Sequence, residues 1–182
     1  MLALATRIKL FYLFHFAKPA ADRQLYRAVY ERKPKSILQI GLGDGTRTDR
    51  ILESLYFSDP TQIPHLSVID LFEACTDAPL SLKQAHRQFH AKVSRLRLIP
   101  GDPLSALSRA ANSLGQFDLV LATAQVDAAS MAKAWFYLPR IIHPQTVVII
   151  ESGCDATSTS FEILSAKEIE ALAEKSRLRR AA

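Results

Sequence analysis

The sequence predicts a three-layer αβα sandwich, an α/β fold in which helices cover both faces of a mostly parallel sheet. Short apolar runs alternate along the chain with stretches whose apolar residues recur at helical spacing. Strands that are apolar on both faces are typical of parallel sheets, because helices cover them on each side. The chain has 182 residues, of which 48% are hydrophobic and 23% charged, and this is sufficient for one domain. The predicted strands are Ser36–Ile40, Leu66–Asp70, Leu96–Ile99, Phe117–Ala122 and Thr146–Ile150.

Helices are predicted between these strands and after them. One signal is the capping box, in which a serine caps the first turn and Gln or Glu follows three residues later. Ser81 with Gln84 and Ser165 with Glu168 fit this pattern, and Pro103 suits the first turn of a helix. The predicted helices are Thr46–Phe57, Ser81–Val93, Pro103–Leu114, Asp127–Tyr137 and a last helix begun by Ser165, which a strand at Phe161–Leu164 precedes.

We expect a single domain with a helical segment at residues 1–35, a core at 36–151 and a C-terminal strand and helix at 152–182. The uncharged run between Lys9 and Lys18 is shorter than the roughly 20 residues of a spanning helix, so no membrane span is expected. The residues around Phe16 make a poor signal-peptide cleavage site. Residues 2–17 carry more apolar surface than one side of a short helix can bury. They either complete the core or shape an acceptor pocket, a dimer contact or a membrane-facing surface.

Charge and cysteine content exclude several classes of partner. Basic residues exceed acidic ones by 23 to 18, which gives a net charge of +5 and a pI near 9.4. This excess is spread along the chain, and Arg177, Arg179 and Arg180 form its densest run, so nucleic acid is not expected as a partner. Cys75 and Cys154 are the only cysteines and form no CxxC pair, so neither a zinc site nor a disulfide framework is predicted. Reduced cysteines predict a cytoplasmic protein.

A glycine-rich turn follows the first predicted strand, from Gln39 to Thr46. Glycines at such a junction let the chain turn tightly and let a ligand approach the backbone. The spacing is G-x-G-x-G, and Thr46 stands where the dinucleotide fingerprint G-x-G-x-x-G requires a glycine. The G-K-[ST] ending of a phosphate loop is also missing.

This turn resembles the first motif of class I S-adenosylmethionine-dependent methyltransferases, a family with a Rossmann-like sheet. In that family the turn holds the methionine part of the cofactor. Asp70 stands where the family places an acid for the ribose hydroxyls, and Gly101-Asp102 resembles the segment that meets the adenine. The resemblance covers about Ser36 to Glu151 and implies S-adenosylmethionine as cofactor. The cofactor-binding residues that it implies are Gln39, Gly41, Gly43, Asp44, Gly45, Thr46, Asp70, Leu71, Gly101, Asp102, Pro103 and Ala122.

These residues also have purely structural interpretations. Asp70 could only end its strand, Asp102 could only cap the next helix, and Gly41 and Gly45 could serve the turn alone. What favours a binding site is that the features stand at the ends of successive strands, where ligands sit in parallel sheets.

The chain also departs from the family pattern. Gln39 stands where the family usually has an acid, and a neutral amide supplies no charge to the cofactor's ammonium group. Few residues follow Glu151, so we expect a reduced sheet edge. The fourth strand ends in Ala122-Thr123-Ala124 without the acid of metal-dependent relatives, so no metal site is expected.

The expected function is therefore methyl transfer to a small-molecule or protein acceptor, and the alternative is a non-catalytic binding or interaction module of the same fold. No residue stands out as the catalyst. Asp127 also fits a helix N-cap and His143 a structural loop residue, while His86 and His90, one helical turn apart, fit a solvated face. The candidate bases or substrate contacts are Gln125, Asp127, His143, Glu151 and Asp155.

Overall fold

The centre of the structure is a sheet of β1 (Ser36–Ile40), β2 (His65–Asp70), β3 (Arg95–Pro100), β4 (Phe117–Ala122), β5 (Ile142–Ser152) and β6 (Ser160–Leu164). The strand order is β3-β2-β1-β4-β5-β6, with β6 antiparallel to β5 and the other pairs parallel. The structure is a computed structural model that describes residues 4–74, 79–153 and 160–181, the last three by their backbone alone. Cys75, Cys154 and Asp155 lie outside the described residues.

Helices pack on both faces of this sheet, which confirms the predicted three-layer architecture. Among the described residues, no helix combines the length and the apolar character needed to cross a membrane. The helices are α1 (Leu4–His15), α2 (Asp22–Arg32), α3 (Thr46–Ser58), α4 (Leu82–Phe89), α5 (Pro103–Leu114), α6 (Ala128–Ala134) and α7 (Ala166–Ala181), with 3₁₀ turns at Phe72–Ala74 and Trp135–Arg140.

The two faces of the sheet carry separate hydrophobic cores. Alternate residues of β1 show the division, since Ile37 packs with the core under α1 to α4 and Leu38 with the core under α5 to α7. Burying both faces in this way explains why the strands read as continuous apolar runs.

The connections place a crevice between β1 and β4. Helices α3 and α4 cover one face of the sheet and α5 and α6 the other. The chain therefore leaves β1 and β4 toward opposite sides, and the carboxyl ends of these neighbouring strands form a topological switch point, the usual ligand position in open α/β sheets.

The capping boxes at Ser81 and Ser165 are both confirmed, but several predicted boundaries were wrong. The helix predicted to end at Val93 ends at Phe89, where the chain turns so that Ser94 can donate to the carbonyl oxygens of Ile63 and Pro64.

Other boundaries differ for similar tertiary reasons. The predicted helix Asp127–Tyr137 is α6 followed by a 3₁₀ helix that includes Pro139. Strand β5 begins at Ile142 rather than Thr146, because Phe117 of β4 pairs with it there. The predicted N-terminal helical segment, residues 1–35, contains α1 and α2.

Candidate functional site

A cavity of about 390 Å³ opens at the switch point, at the carboxyl ends of the central strands. Its volume lies within the range of roughly 300–1,000 Å³ typical of small-molecule sites. Four segments that are distant in sequence meet there: the glycine turn, the end of β2, the start of α5 and the loop after β4. The lining residues are Ile40, Gly41, Gly43, Ile69, Asp70, Leu71, Pro79, Gly101, Asp102, Pro103, Gln125, Val126 and Asp127.

Two glycines of the turn are required by the backbone and by space. Gly41 has φ +84° and Gly43 has φ +61°, in the left-handed region that L side chains rarely adopt. A Cβ on Gly41 would lie 2.1 Å from Thr123 Oγ1, and one on Gly43 would lie 2.9 Å from Gln125 Oε1. Gly41 therefore serves the packing of β1 against β4, while the Cα of Gly43 faces the cavity.

Asp70 joins the end of β2 to the glycine turn. One carboxylate oxygen accepts from the backbone N–H of Leu42, and the other accepts from Phe72 N at 3.2 Å. The carboxylate thus positions the turn while it lines the cavity. Each carboxylate oxygen has a second lone pair with which to accept from a ligand.

Asp102 caps α5 and lines the cavity. Its Oδ1 accepts from Leu104 N at 3.0 Å and Ser105 N at 3.1 Å, and also from the hydroxyl of Ser130 on α6. Hydrogen bonds from Ser105 and Ser130 lower the pKa of Asp102 to about 2. The capping role and a place in the cavity lining therefore coexist in this residue.

The charge of the cavity restricts the class of ligand. Asp70, Asp102 and Asp127 line it, and its described lining includes no Lys, Arg or His. Nearby, Asp44 accepts from the backbone N–H and the hydroxyl of Thr46 at the start of α3, at 3.0 Å and 2.9 Å. An acid thus already occupies the helix terminus at which a dinucleotide places its phosphates. The site suits a ligand with hydroxyl, amino or cationic groups better than a phosphate.

Not every residue implied by the resemblance lines this cavity. Gln39 is buried, and its amide donates to Gly41 O at 3.0 Å and accepts from Thr48 Oγ1 at 2.6 Å. Ala122 is buried in the sheet, and Gly45 packs against Leu80 and Phe89. The structure brings together in the lining Gly41, Gly43, Asp70, Leu71, Gly101, Asp102 and Pro103.

A second cavity of about 400 Å³ lies beside the first. The two share Gly43, Pro79 and Gln125, so the glycine turn and the Gln125 side chain separate them. Asp44 and Thr46, which the resemblance implied for the cofactor, line this second cavity together with Lys18 and Pro19, Asp22, Leu42, Arg47, Arg50 and Thr123.

An ion-pair network that the sequence analysis missed borders the second cavity. Arg47 donates through Nη1 and Nη2 to Glu151 and through Nε to Asp22, which also accepts from Tyr26. Glu151 in turn accepts from Ala124 N at 3.0 Å, in the loop after β4. The carboxylate of Glu151, a candidate base in the sequence, is therefore already paired.

The remaining candidates divide between the cavity and the surface. Gln125 and Asp127 line the first cavity, and Asp127 also caps α6 by accepting from Ser130 N at 2.6 Å. His143 pairs with Asp118 at 3.0 Å near the amino ends of β4 and β5, the opposite end of the sheet. His86 on α4 and His90, directly after that helix, are exposed and stack on each other. Within the described part of the chain, no group of three or more His, Cys, Asp or Glu could hold a metal ion.

Comparison with known proteins identifies the fold. No family model matches the chain, and no curated protein matches it. Among solved structures, an O-methyltransferase from Bacillus cereus in complex with SAH matches with a TM-score of 0.56 at 15% identity, over 98% of this chain and 80% of the other. The O-methyltransferase TomG from Streptomyces achromogenes, in complex with SAM, matches with a TM-score of 0.54 at 14% identity, over 97% and 78%.

The chain has the class I methyltransferase fold. A methyltransferase from Geobacter sulfurreducens is also similar, with a TM-score of 0.51 at 17% identity over 81% of this chain and 70% of that one. The resemblance noted in the glycine turn thus extends to most of this chain, and the first cavity lies at the switch point of its sheet.

Proposed function

We propose that this protein is an S-adenosylmethionine-dependent methyltransferase that acts on a small-molecule or protein acceptor. The observation that carries this proposal is the composition of the first cavity, which combines a glycine turn with carboxylates and lacks a cationic side chain among its described lining residues. A sulfonium cofactor with a ribose and an ammonium group fits such a lining, whereas a phosphate-rich dinucleotide would face like charges. The similar O-methyltransferases in complex with SAH and SAM support the same choice.

The cavity residues fit the parts of this cofactor. Asp70 would accept hydrogen bonds from the ribose hydroxyls, and the backbone at Gly41 and Gly43 would border the methionine part. Asp102 would accept from the adenine amino group. Pro103 has no N–H to donate to the adenine ring. The apolar side chain of Leu71, which also lines the cavity, would pack against that ring.

Bound S-adenosylmethionine supplies an electrophilic methyl group on a positively charged sulfur. The task of the protein is then to align the acceptor and to exclude water. The second cavity is the candidate acceptor site, since it meets the first at Gly43 and Gln125. Its carboxylates are already engaged, Asp22 by Arg47 and Asp44 by Thr46, so alignment rather than a free carboxylate base would carry the reaction.

Calorimetry with S-adenosylmethionine, S-adenosylhomocysteine and NAD would test the cofactor. We expect both methionine-derived ligands to bind in a 1:1 complex and NAD to bind at least about tenfold more weakly. Folded protein that binds neither of the two, or that binds NAD as well as them, would contradict the proposal.

The alternative, a non-catalytic binding module, is supported by Gln39, whose neutral amide forms hydrogen bonds with Gly41 and Thr48 inside the protein. Radiolabelled S-adenosylmethionine would separate the two functions. Incorporation of label into the small-molecule or protein fraction of an extract indicates an enzyme, whereas tight binding without incorporation favours the module.

A further inference from the structure

Helix α1 has two apolar faces, of which the described part of the chain covers only one. Leu10 and Leu13 are buried against α2 and α3, with Ala17 just beyond the helix. The residues of the opposite face recur at spacings of three and four and so form one stripe, which is exposed and also includes His15, stacked on Phe11. The exposed fractions along this stripe are Leu4 72%, Ile8 60%, Phe11 58%, Tyr12 51% and Phe16 57%.

The charged residues that α1 itself carries beside this outer stripe are all basic. At about 100° per residue, Arg7 and Lys9 fall on opposite edges of the stripe, and Lys18 follows shortly after the helix. Lys9 contacts Glu53 at 3.3 Å, yet 63% of its side chain remains exposed. The sequence has no Asp or Glu before Asp22, so this surface has no acid of its own on α1.

We propose that the outer stripe of α1 docks on an anionic lipid bilayer, with the helix lying in the plane of the interface. The exposed Leu, Ile, Phe and Tyr side chains, bordered by Arg7 and Lys9, combine the two attractions that hold a helix at an anionic interface, which are burial of apolar area and contact of cations with headgroups. Anionic headgroups complement the cations at both edges. A second copy of the chain fits less well, because stacking two α1 helices would bring Arg7 and Lys9 of each copy against those of the other.

Vesicle co-sedimentation of the full-length protein tests this proposal. We expect binding to vesicles of mixed phosphatidylcholine and phosphatidylglycerol, at least about tenfold weaker binding to phosphatidylcholine alone, and loss of binding at high salt. The double variant Ile8→Ser, Phe11→Ser should bind the mixed vesicles at least about tenfold more weakly, with an unchanged melting temperature because both side chains are exposed. Leu178→Ser, on an equally exposed residue of α7, is the matched control and should bind like wild type.

Three results would overturn the proposal. The first is absence of binding to the anionic vesicles at low salt, and the second is an equal loss of binding in Leu178→Ser. The third is a dimer in light scattering that the Ile8→Ser, Phe11→Ser variant abolishes while vesicles bind neither protein, which would assign the stripe to a second copy of the chain.

Discussion

The guanidinium of Arg47 forms two parallel hydrogen bonds with the carboxylate of Glu151, at 2.9 Å from Nη1 to Oε2 and 2.7 Å from Nη2 to Oε1. The pair joins the first turn of α3 to the end of β5, and Glu151 also holds the backbone N–H of Ala124. Burial lowers the pKa of Arg47, but the bonds to Glu151 and Asp22 outweigh it and raise that pKa above its ordinary value. This network therefore fixes the loop after β4, from which Gln125 and Asp127 reach the first cavity.

We predict that Arg47→Ala lowers the free energy of unfolding by about 3 kcal/mol, because it leaves the carboxylates of Asp22 and Glu151 without their partner in a mostly buried place. Urea denaturation measures the change. The control is Arg177→Ala, which breaks the exposed pair with Glu174 and should cost no more than about 0.5 kcal/mol. Equal effects of the two variants would show that the network contributes nothing beyond a surface pair.

We predict that Gln39→Glu destabilises the protein by about 1–3 kcal/mol, because a carboxylate has no N–H to donate to the buried carbonyl of Gly41. The amide of Gln39 thus has a structural role that a carboxylate would not fill. Gln116→Glu is the matched control, since the exposed Gln116 also donates to a carbonyl, that of Ile142. Water can replace this bond, so the control should change stability by less than about 0.5 kcal/mol in the same denaturation experiment. Retention of full stability by Gln39→Glu would contradict the prediction.

We predict that Asp70→Asn weakens binding of S-adenosylmethionine about tenfold or more, because a charge-assisted hydrogen bond is lost. The substitution also costs about 1–3 kcal/mol of stability, because an amide NH₂ would face the N–H of Leu42 or Phe72. Calorimetry and urea denaturation measure the two effects. Asp59→Asn, at a surface carboxylate that accepts from Thr61 N, should leave cofactor binding unchanged, and unaltered affinity in Asp70→Asn would reduce Asp70 to a structural residue.

We predict that Gly43→Ala weakens cofactor binding at least about tenfold, because its Cβ would displace Gln125 at the boundary of the two cavities. A residue with a side chain also loses roughly 1–2 kcal/mol in the left-handed region. Gly115→Ala is the control for backbone strain, since Gly115 also has a positive φ, at φ +79° and ψ −165°, and no atom within 4 Å of an added Cβ. We expect both variants to lose stability but only Gly43→Ala to lose cofactor binding; wild-type affinity in Gly43→Ala would argue against the assignment of this cavity.

We predict that Asp102→Ala costs about 1 kcal/mol at pH 7, the usual value of an N-cap. The pKa of Asp102 is about 2 in the folded protein, below its ordinary value, so the charged form stabilises the fold. That contribution is fully present above about pH 4 and decreases as the pH falls toward 2. Denaturation at several pH values should show the difference between wild type and variant shrinking in this range, and a difference that stays constant would be inconsistent with the low pKa.

Features with local causes were predictable from the sequence. The strand at Phe117–Ala122 and the helix at Pro103–Leu114 have the predicted bounds, because apolar runs and a proline after an N-cap act over a few residues. The dual position of Asp102, as helix cap and in the cavity lining, also agrees with the motif read from the chain.

Features that depend on distant partners were not predictable. The carboxylate of Glu151 appeared free to act as a base, yet Arg47, 104 residues earlier in sequence, engages both of its oxygens. His143 was a candidate base or a structural loop residue, but the early start of β5 places it beside Asp118, away from the cavity.

By itself the sequence determined the alternation of strands and helices, the glycine turn and the acids that end strands, because periodicity, glycine and capping residues act on the chain around them. Only the tertiary structure decided which of those residues meet in one cavity, and that Gln39 turns its amide inward while the stripe of α1 faces outward. The physical reason is that hydrogen bonds, ion pairs and burial join residues tens of positions apart. A pattern of neighbouring residues does not identify those distant partners.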